Sequence, residues 1–176
     1  MTEARLVEDE HGGLRPENEG WFVVNAREAS WGAGDFGRGC AFESNAARFT
    51  QLGINLKILE PGQPMCMYHR ENAQEDFLVL AGECLLIVEG EERPLRQWDF
   101  VHCPAGVDHV FVGAGDGPSL LLATGFRPEI EELVYPADPV AQRHGAAVAV
   151  ETTSGDEAYA GYKRGRVRYE DGWLPD

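Results

Sequence analysis

Leu52, Ile54, Leu56 and Ile58 alternate with Gly53, Asn55 and Lys57. A period of two places the apolar set on one face, so residues 52–58 are expected to form a strand with one buried face. Pro61-Gly62-Gln63-Pro64 then breaks the chain. Short strands are expected at residues 77–80, 84–88, 93–96, 100–103, 109–112 and 119–124. Ala81-Gly82-Glu83 has the length and residue type of a hairpin turn, as does Glu89-Gly90-Glu91. Pro104-Ala105-Gly106 and the run from Gly113 to Pro118 separate the later strands. Short strands at this spacing predict an all-β sandwich or barrel. Only residues 129–135 and 139–142 carry a helical pattern.

Three zones follow. Residues 1–48 are polar, with scattered aromatics, and are expected to be an N-terminal arm with short strands near residues 20–24 and 40–42. Residues 49–127 are the expected core. Residues 128–176 are a polar tail rich in Pro and Gly, expected to pack on the core or on a partner subunit.

Charge narrows the partners. The 176 residues carry 15 Lys and Arg against 30 Asp and Glu, a net charge of −15. Such a chain repels phosphate backbones and anionic lipid, so neither nucleic acid nor a membrane surface is an expected partner. No apolar run approaches the ~18 residues of a membrane span. The start has neither a basic segment nor an apolar run, so no signal peptide is expected and the chain is read as cytoplasmic. Cys40, Cys66, Cys84 and Cys103 are widely spaced, which in a reducing compartment predicts free thiols. No Gly-rich phosphate loop or nucleotide fingerprint is present, so no nucleotide cofactor is implied.

The candidate chemistry lies in the core. His69 follows the Pro-Gly turn, and in an extended segment His69 and Glu71 share a face. Glu75, Phe77 and Val79 share a face on the next strand, and His109 opens another strand after a Pro-x-Gly turn. Imidazoles and carboxylates that converge inside a barrel are costly to bury unpaired. A divalent cation would pair them, since His nitrogen and carboxylate oxygen suit Fe, Mn, Ni, Co or Zn. His102 lies seven residues before His109, where it is an expected inward-facing acid/base or substrate group.

The order of these residues resembles the cupin superfamily. Its first motif runs Gly, five residues, His-x-His, three or four residues, Glu, six residues, Gly. Gly62, Tyr68-His69-Arg70-Glu71, Glu75 and Gly82 follow that order. The second motif runs Gly, five residues, Pro-x-Gly, two residues, His, three residues, Asn. Here it reads Trp98, Pro104-Ala105-Gly106, His109 and Gly113. Rigid counting from Gly62 puts Tyr68 and Arg70 at the His-x-His positions. One inserted residue puts His69 and Glu71 there, and this alignment is preferred because both can be ligands.

The resemblance implies a single double-stranded β-helix (jelly-roll) barrel holding a divalent metal through His69, Glu75 and His109, with Glu71 as a fourth ligand candidate. Two His and a carboxylate leave open coordination positions, as in non-haem Fe(II) sites. Glu71 and His102 are the acid/base candidates, and Tyr68, Arg70 and Phe77 the pocket candidates. A metal-dependent oxygenase or isomerase acting on a small molecule is the leading expectation, and a metal-free small-ligand binder the alternative. A homodimer is expected, because arms of this kind resemble those that cross cupin dimer interfaces.

Overall fold

The computed structural model describes residues 2–175. Along the chain the first strands are β1 (Leu6–Glu8), β2 (Leu14–Pro16), β3 (Trp31–Gly34), β4 (Gly37–Ala41), β5 (Leu52–Leu59), β6 (Arg70–Glu71) and β7 (Glu75–Ala81). Then come β8 (Glu83–Val88), β9 (Glu91–Arg96), β10 (Phe100–Cys103), β11 (His109–Ala114), β12 (Ser119–Phe126), β13 (Leu133–Val134) and β14 (Arg164–Val167). Two short helices, α1 (Pro139–Arg143) and α2 (Gly155–Ala158), precede β14.

Seven strands form one sheet in the order β10-β7-β12-β5-β4-β3-β14, and β11-β8-β9 form a second. The pairings within both sheets are antiparallel. The main core lies between them: Leu59, Phe77, Val79, Leu121 and Ala123 from the larger sheet meet Cys84, Leu86 and Phe111 from the smaller. This is the expected jelly-roll arrangement of packed antiparallel sheets.

The hairpin expected at Ala81-Gly82-Glu83 is not one. β7 pairs with β10 and β12, whereas β8 pairs with β9 and β11. The chain crosses from one sheet to the other at Gly82. There φ is +72°, and a Cβ would stand 2.5 Å from the Pro118 carbonyl oxygen. Only glycine tolerates both conditions. The Glu89-Gly90 turn does form a hairpin, β8–β9.

Three further expectations change. The single buried face of residues 52–58 is wrong, because both faces of β5 are covered. Ile58 and Leu56 pack with Trp31 and Cys40, while Leu59 joins the core between the sheets. Residues 20–24 form no strand beyond an isolated bridge from Trp21 to Glu3. Residues 129–135 form no helix, because Leu133 and Val134 pair with Glu71 and Arg70 instead. The helix expected at residues 139–142 is present as α1, capped by Asp138, whose carboxylate accepts from the amides of Val140 and Ala141.

The tail supplies the last strand. β14 pairs with β3, and the Tyr169 and Trp173 rings lie 6.0 and 5.6 Å from the ring of Trp31. On the outer face of the smaller sheet, Ala141 of α1 and Ala146 cover Ile87, Val110 and Val112. Among the described residues no helix is long and apolar enough to cross a membrane.

Candidate metal centre

Two strand starts and one loop converge at one end of the main core. Glu75 opens β7 and His109 opens β11. His69 precedes β6 and pairs through its backbone with His109, accepting from the His109 amide at 2.9 Å and donating at 3.2 Å. That bridge sets the two imidazoles side by side, with ring centroids 5.0 Å apart. The ligand atoms of His69, Glu75 and His109 all lie within 4.8 Å of one another.

The tautomers follow from the backbone. His69 Nδ1 is 2.9 Å from the Met67 carbonyl oxygen, and His109 Nδ1 is 3.0 Å from that of Val107. A carbonyl can only accept, so each Nδ1 carries the proton and donates it. Each Nε2 is thereby turned towards Glu75, at 3.6 Å from Oε2 for His69 and 3.1 Å for His109. Backbone carbonyls fix metal-binding imidazoles in this way.

The centre fits a cation. Glu75 Oε2 and His109 Nε2 are buried and lack a hydrogen-bond partner. Their short approach is not aligned as a hydrogen bond. Orphaned buried polar atoms are rare, because each costs about 1–3 kcal/mol. A divalent ion satisfies both, and the set of two nitrogens and one oxygen is the one expected for Fe, Mn, Co, Ni or Zn.

The charges are consistent. Burial alone would raise the Glu75 carboxyl, but the imidazoles of His109 and His69 outweigh it and hold it at about 2. Burial disfavours a charged His69, yet Cys66 and Glu75 beside it raise it well above 6.5. In the metal-free protein His69 is therefore protonated opposite an ionised Glu75, and its proton stands where a metal charge would act.

Glu71 lies beside this group rather than in it. Glu71 and Glu75 flank Gly125, where a Cβ would lie 3.9 Å from Glu71 Oε1 and 3.8 Å from Glu75 Oε1. Burial and the neighbouring Glu75 charge push the Glu71 carboxyl up to about 7, against the opposing pull of His69. Phe77 packs edge-on against His109, with centroids 5.5 Å apart. Three other candidates stand elsewhere. Tyr68 is buried under α1, where its hydroxyl accepts from the Gly90 amide at 3.1 Å. Arg70 pairs with Asp108 at 3.0 Å. His102 is exposed on β10, with Nδ1 2.7 Å from Asp76 Oδ1.

Two neighbours had no sequence signal. Cys66 Sγ is 3.7 Å from His69 Nδ1, and the buried Tyr135 ring is 6.1 Å from that of His69. Tyr135 lies 66 positions along the chain from His69, a contact that local pattern does not report.

Residues 55–125 match the family described as the cupin domain. This segment of the chain is a cupin domain. No curated protein matches its sequence. Among solved structures, this cupin is similar to a sugar phosphate isomerase from a cupin superfamily of Silicibacter pomeroyi DSS-3. The two share 28% identity over 69% of this chain and 76% of that one, with a TM-score of 0.53. It is also similar to the polyketide cyclase RemF from Streptomyces resistomycificus, at 13% identity over 69% of this chain and 91% of that one, with a TM-score of 0.55. The second likeness concerns the fold alone. The cupin fold and the His69–Glu75–His109 group stand together on these grounds.

Proposed function

We propose that this cupin holds one divalent metal through His69, Glu75 and His109 and catalyses an isomerase-type proton transfer on a small molecule. The observation that carries the reading is the pair of buried, partnerless atoms, Glu75 Oε2 and His109 Nε2. The 28% likeness to a sugar phosphate isomerase supports isomerase over oxygenase chemistry.

A bound ion supplies Lewis-acid polarisation of a carbonyl or hydroxyl oxygen. The chain's own groups do the rest. Glu71 is the base: its carboxylate takes the C–H proton from the hydroxyl-bearing carbon beside a carbonyl and, as the carboxylic acid, returns it to the former carbonyl carbon. The hydroxyl proton passes to the former carbonyl oxygen, so that the carbonyl moves one carbon along the substrate. No electron acceptor is needed, because bonds rearrange within one substrate. A carboxyl at about 7 is matched to both halves of that transfer near neutral pH. Phe77 and the surrounding apolar core keep water from the buried side of His109.

Metal analysis comes first, by mass spectrometry on protein purified without a histidine tag or chelator. The expected result is about one divalent ion per chain. Loaded protein is then incubated in deuterated water with a panel of aldoses, ketoses and their phosphates. Deuterium should enter beside the carbonyl. A protein that takes up no added divalent ion, or loaded protein that exchanges no substrate proton, overturns the reading in favour of a small-ligand binder.

A further inference from the structure

A cavity of about 640 Å³ opens on the larger sheet. Lys57, Lys163, Arg164 and Arg166 line it, and no Asp or Glu does so among the described residues. In a chain with 30 acidic residues against 15 basic ones, that segregation is a specific feature.

The strand registers build it. Lys57 on β5 lies opposite Gly39 on β4, and Gly39 opposite Gly32 on β3. Gly34 lies opposite Arg164 on β14. The glycines leave the sheet surface bare, and Lys57 leans into that space, with Nζ 3.3 Å from where a Gly39 Cβ would be. Among the described residues no carboxylate pairs with Lys57 or Arg164. By contrast, Arg166 already donates to Ser30 Oγ at 3.0 Å. Tyr159 and Asn55 also line the cavity, and the Tyr159 hydroxyl accepts from the Met67 amide at 3.2 Å.

Two cations that share a partly enclosed space repel each other and lose hydration. Burial pushes the Lys57 ammonium down, Cys66 pulls it partly back, and the Arg164 charge adds a smaller push down. An anion between them removes the repulsion and gains charge-assisted hydrogen bonds. The cavity reaches the backbone-held edge of His69, since Cys66 lines it and stands 3.7 Å from His69 Nδ1.

We propose that Lys57 and Arg164 form an anion subsite that binds the phosphate group of a small phosphorylated substrate whose other end reaches His69, Glu75 and His109. The step from phosphate site to substrate subsite rests on the isomerase reading. The phosphate binding itself does not.

The test is titration of the full-length, metal-free protein with inorganic phosphate, read by calorimetry and by phosphorus NMR line-broadening. Saturable binding at one site per chain is expected. Lys57→Met and Arg164→Gln should each weaken it at least ~10-fold, the loss of one charge-assisted contact. Arg168→Gln, which removes an arginine outside the cavity, should leave it unchanged. Circular dichroism checks folding, and Arg164 on the exposed edge strand serves if Lys57→Met fails to fold. Absence of saturable binding overturns the proposal, as does equal weakening by all three variants, which would mean general charge attraction. Phosphate binding without substrate proton exchange leaves the subsite standing and removes the isomerase reading. Exchange on unphosphorylated sugars with no phosphate binding does the reverse.

Discussion

His109 Nε2 and Glu75 Oε2 lie 3.1 Å apart in the interior, each without a hydrogen-bond partner, while the opposite nitrogen of His109 is held by the Val107 carbonyl. The arrangement is poised rather than relaxed. The fold has fixed the imidazole so that its free lone pair faces a carboxylate oxygen, a repulsive meeting unless a proton or a metal ion stands between them.

His109→Ala should therefore lose metal affinity by more than the ~100-fold typical of changes to groups behind the ligands. It should also leave the buried Glu75 carboxylate with one imidazole fewer beside it. Metal content by mass spectrometry and zinc titration with a competing chelator measure the first effect. Unchanged metal content in a folded His109→Ala protein would remove the site.

Metal affinity should rise with pH between 6 and 8. His69 is raised well above 6.5 in the metal-free protein, so binding must displace its proton. The stability linkage has the opposite sign. A raised His69 stabilises the fold fully below 6.5, and that contribution is lost as pH climbs through its folded value. Glu75, held at about 2, contributes above 4.5 and loses that contribution only as pH falls towards 2. Metal-free protein should thus be most helped by this pair between about pH 4.5 and 6.5. Calorimetric metal titrations in two buffers of different ionisation heat count the released proton, and a count of zero at pH 6.5 refutes the assignment.

The sequence made the centre legible where chemistry follows local order. Glu75 and His109 sit at strand starts fixed by turn residues, and His69 follows a Pro-Gly break. It misled where one residue type serves two environments. Asn55 and Lys57 alternate with leucine and isoleucine, which locally is indistinguishable from a solvent face. They line a cavity because β14, 107 positions after Lys57 at its start, extends the sheet beyond β3. His102 shows the converse. Its strand was placed correctly, yet its register opposite Asp76 turns it outward, and register is set by pairing across strands. The expected hairpin at Gly82 failed for a related reason: a short glycine turn looks alike whether the chain folds back in one sheet or crosses to another.

Gly82→Ala tests that crossover. The substitution places a Cβ 2.5 Å from the Pro118 oxygen at a backbone φ of +72°. Such strain costs on the order of 1–3 kcal/mol. For a chain of this size each kcal/mol lowers Tm by ~2–4 °C. Calorimetric melting should show a fall of at least ~2 °C. Gly117→Ala, with open space around its added methyl, serves as the control. Equal effects at both positions would argue against the strained crossover.

Glu71→Gln separates base from ligand, because the two roles predict different losses. As the base, Glu71 accounts for ~10²–10⁴ in the rate of proton transfer. Metal content should stay at the wild-type level, since His69, Glu75 and His109 form the ligand group without it. Stability should move the other way. A carboxyl raised to about 7 penalises the folded protein once it ionises, so the amide should stabilise metal-free protein at pH 8 and confer no benefit below pH 4.5. Glu71 is partly open to water, which reduces the gain to ~1 kcal/mol, or ~2–4 °C in Tm. Melting curves at pH 4.5 and 8, deuterium exchange and metal analysis on the same preparation distinguish the outcomes. Loss of metal together with activity would make Glu71 a ligand, whereas full activity with metal retained would require another base.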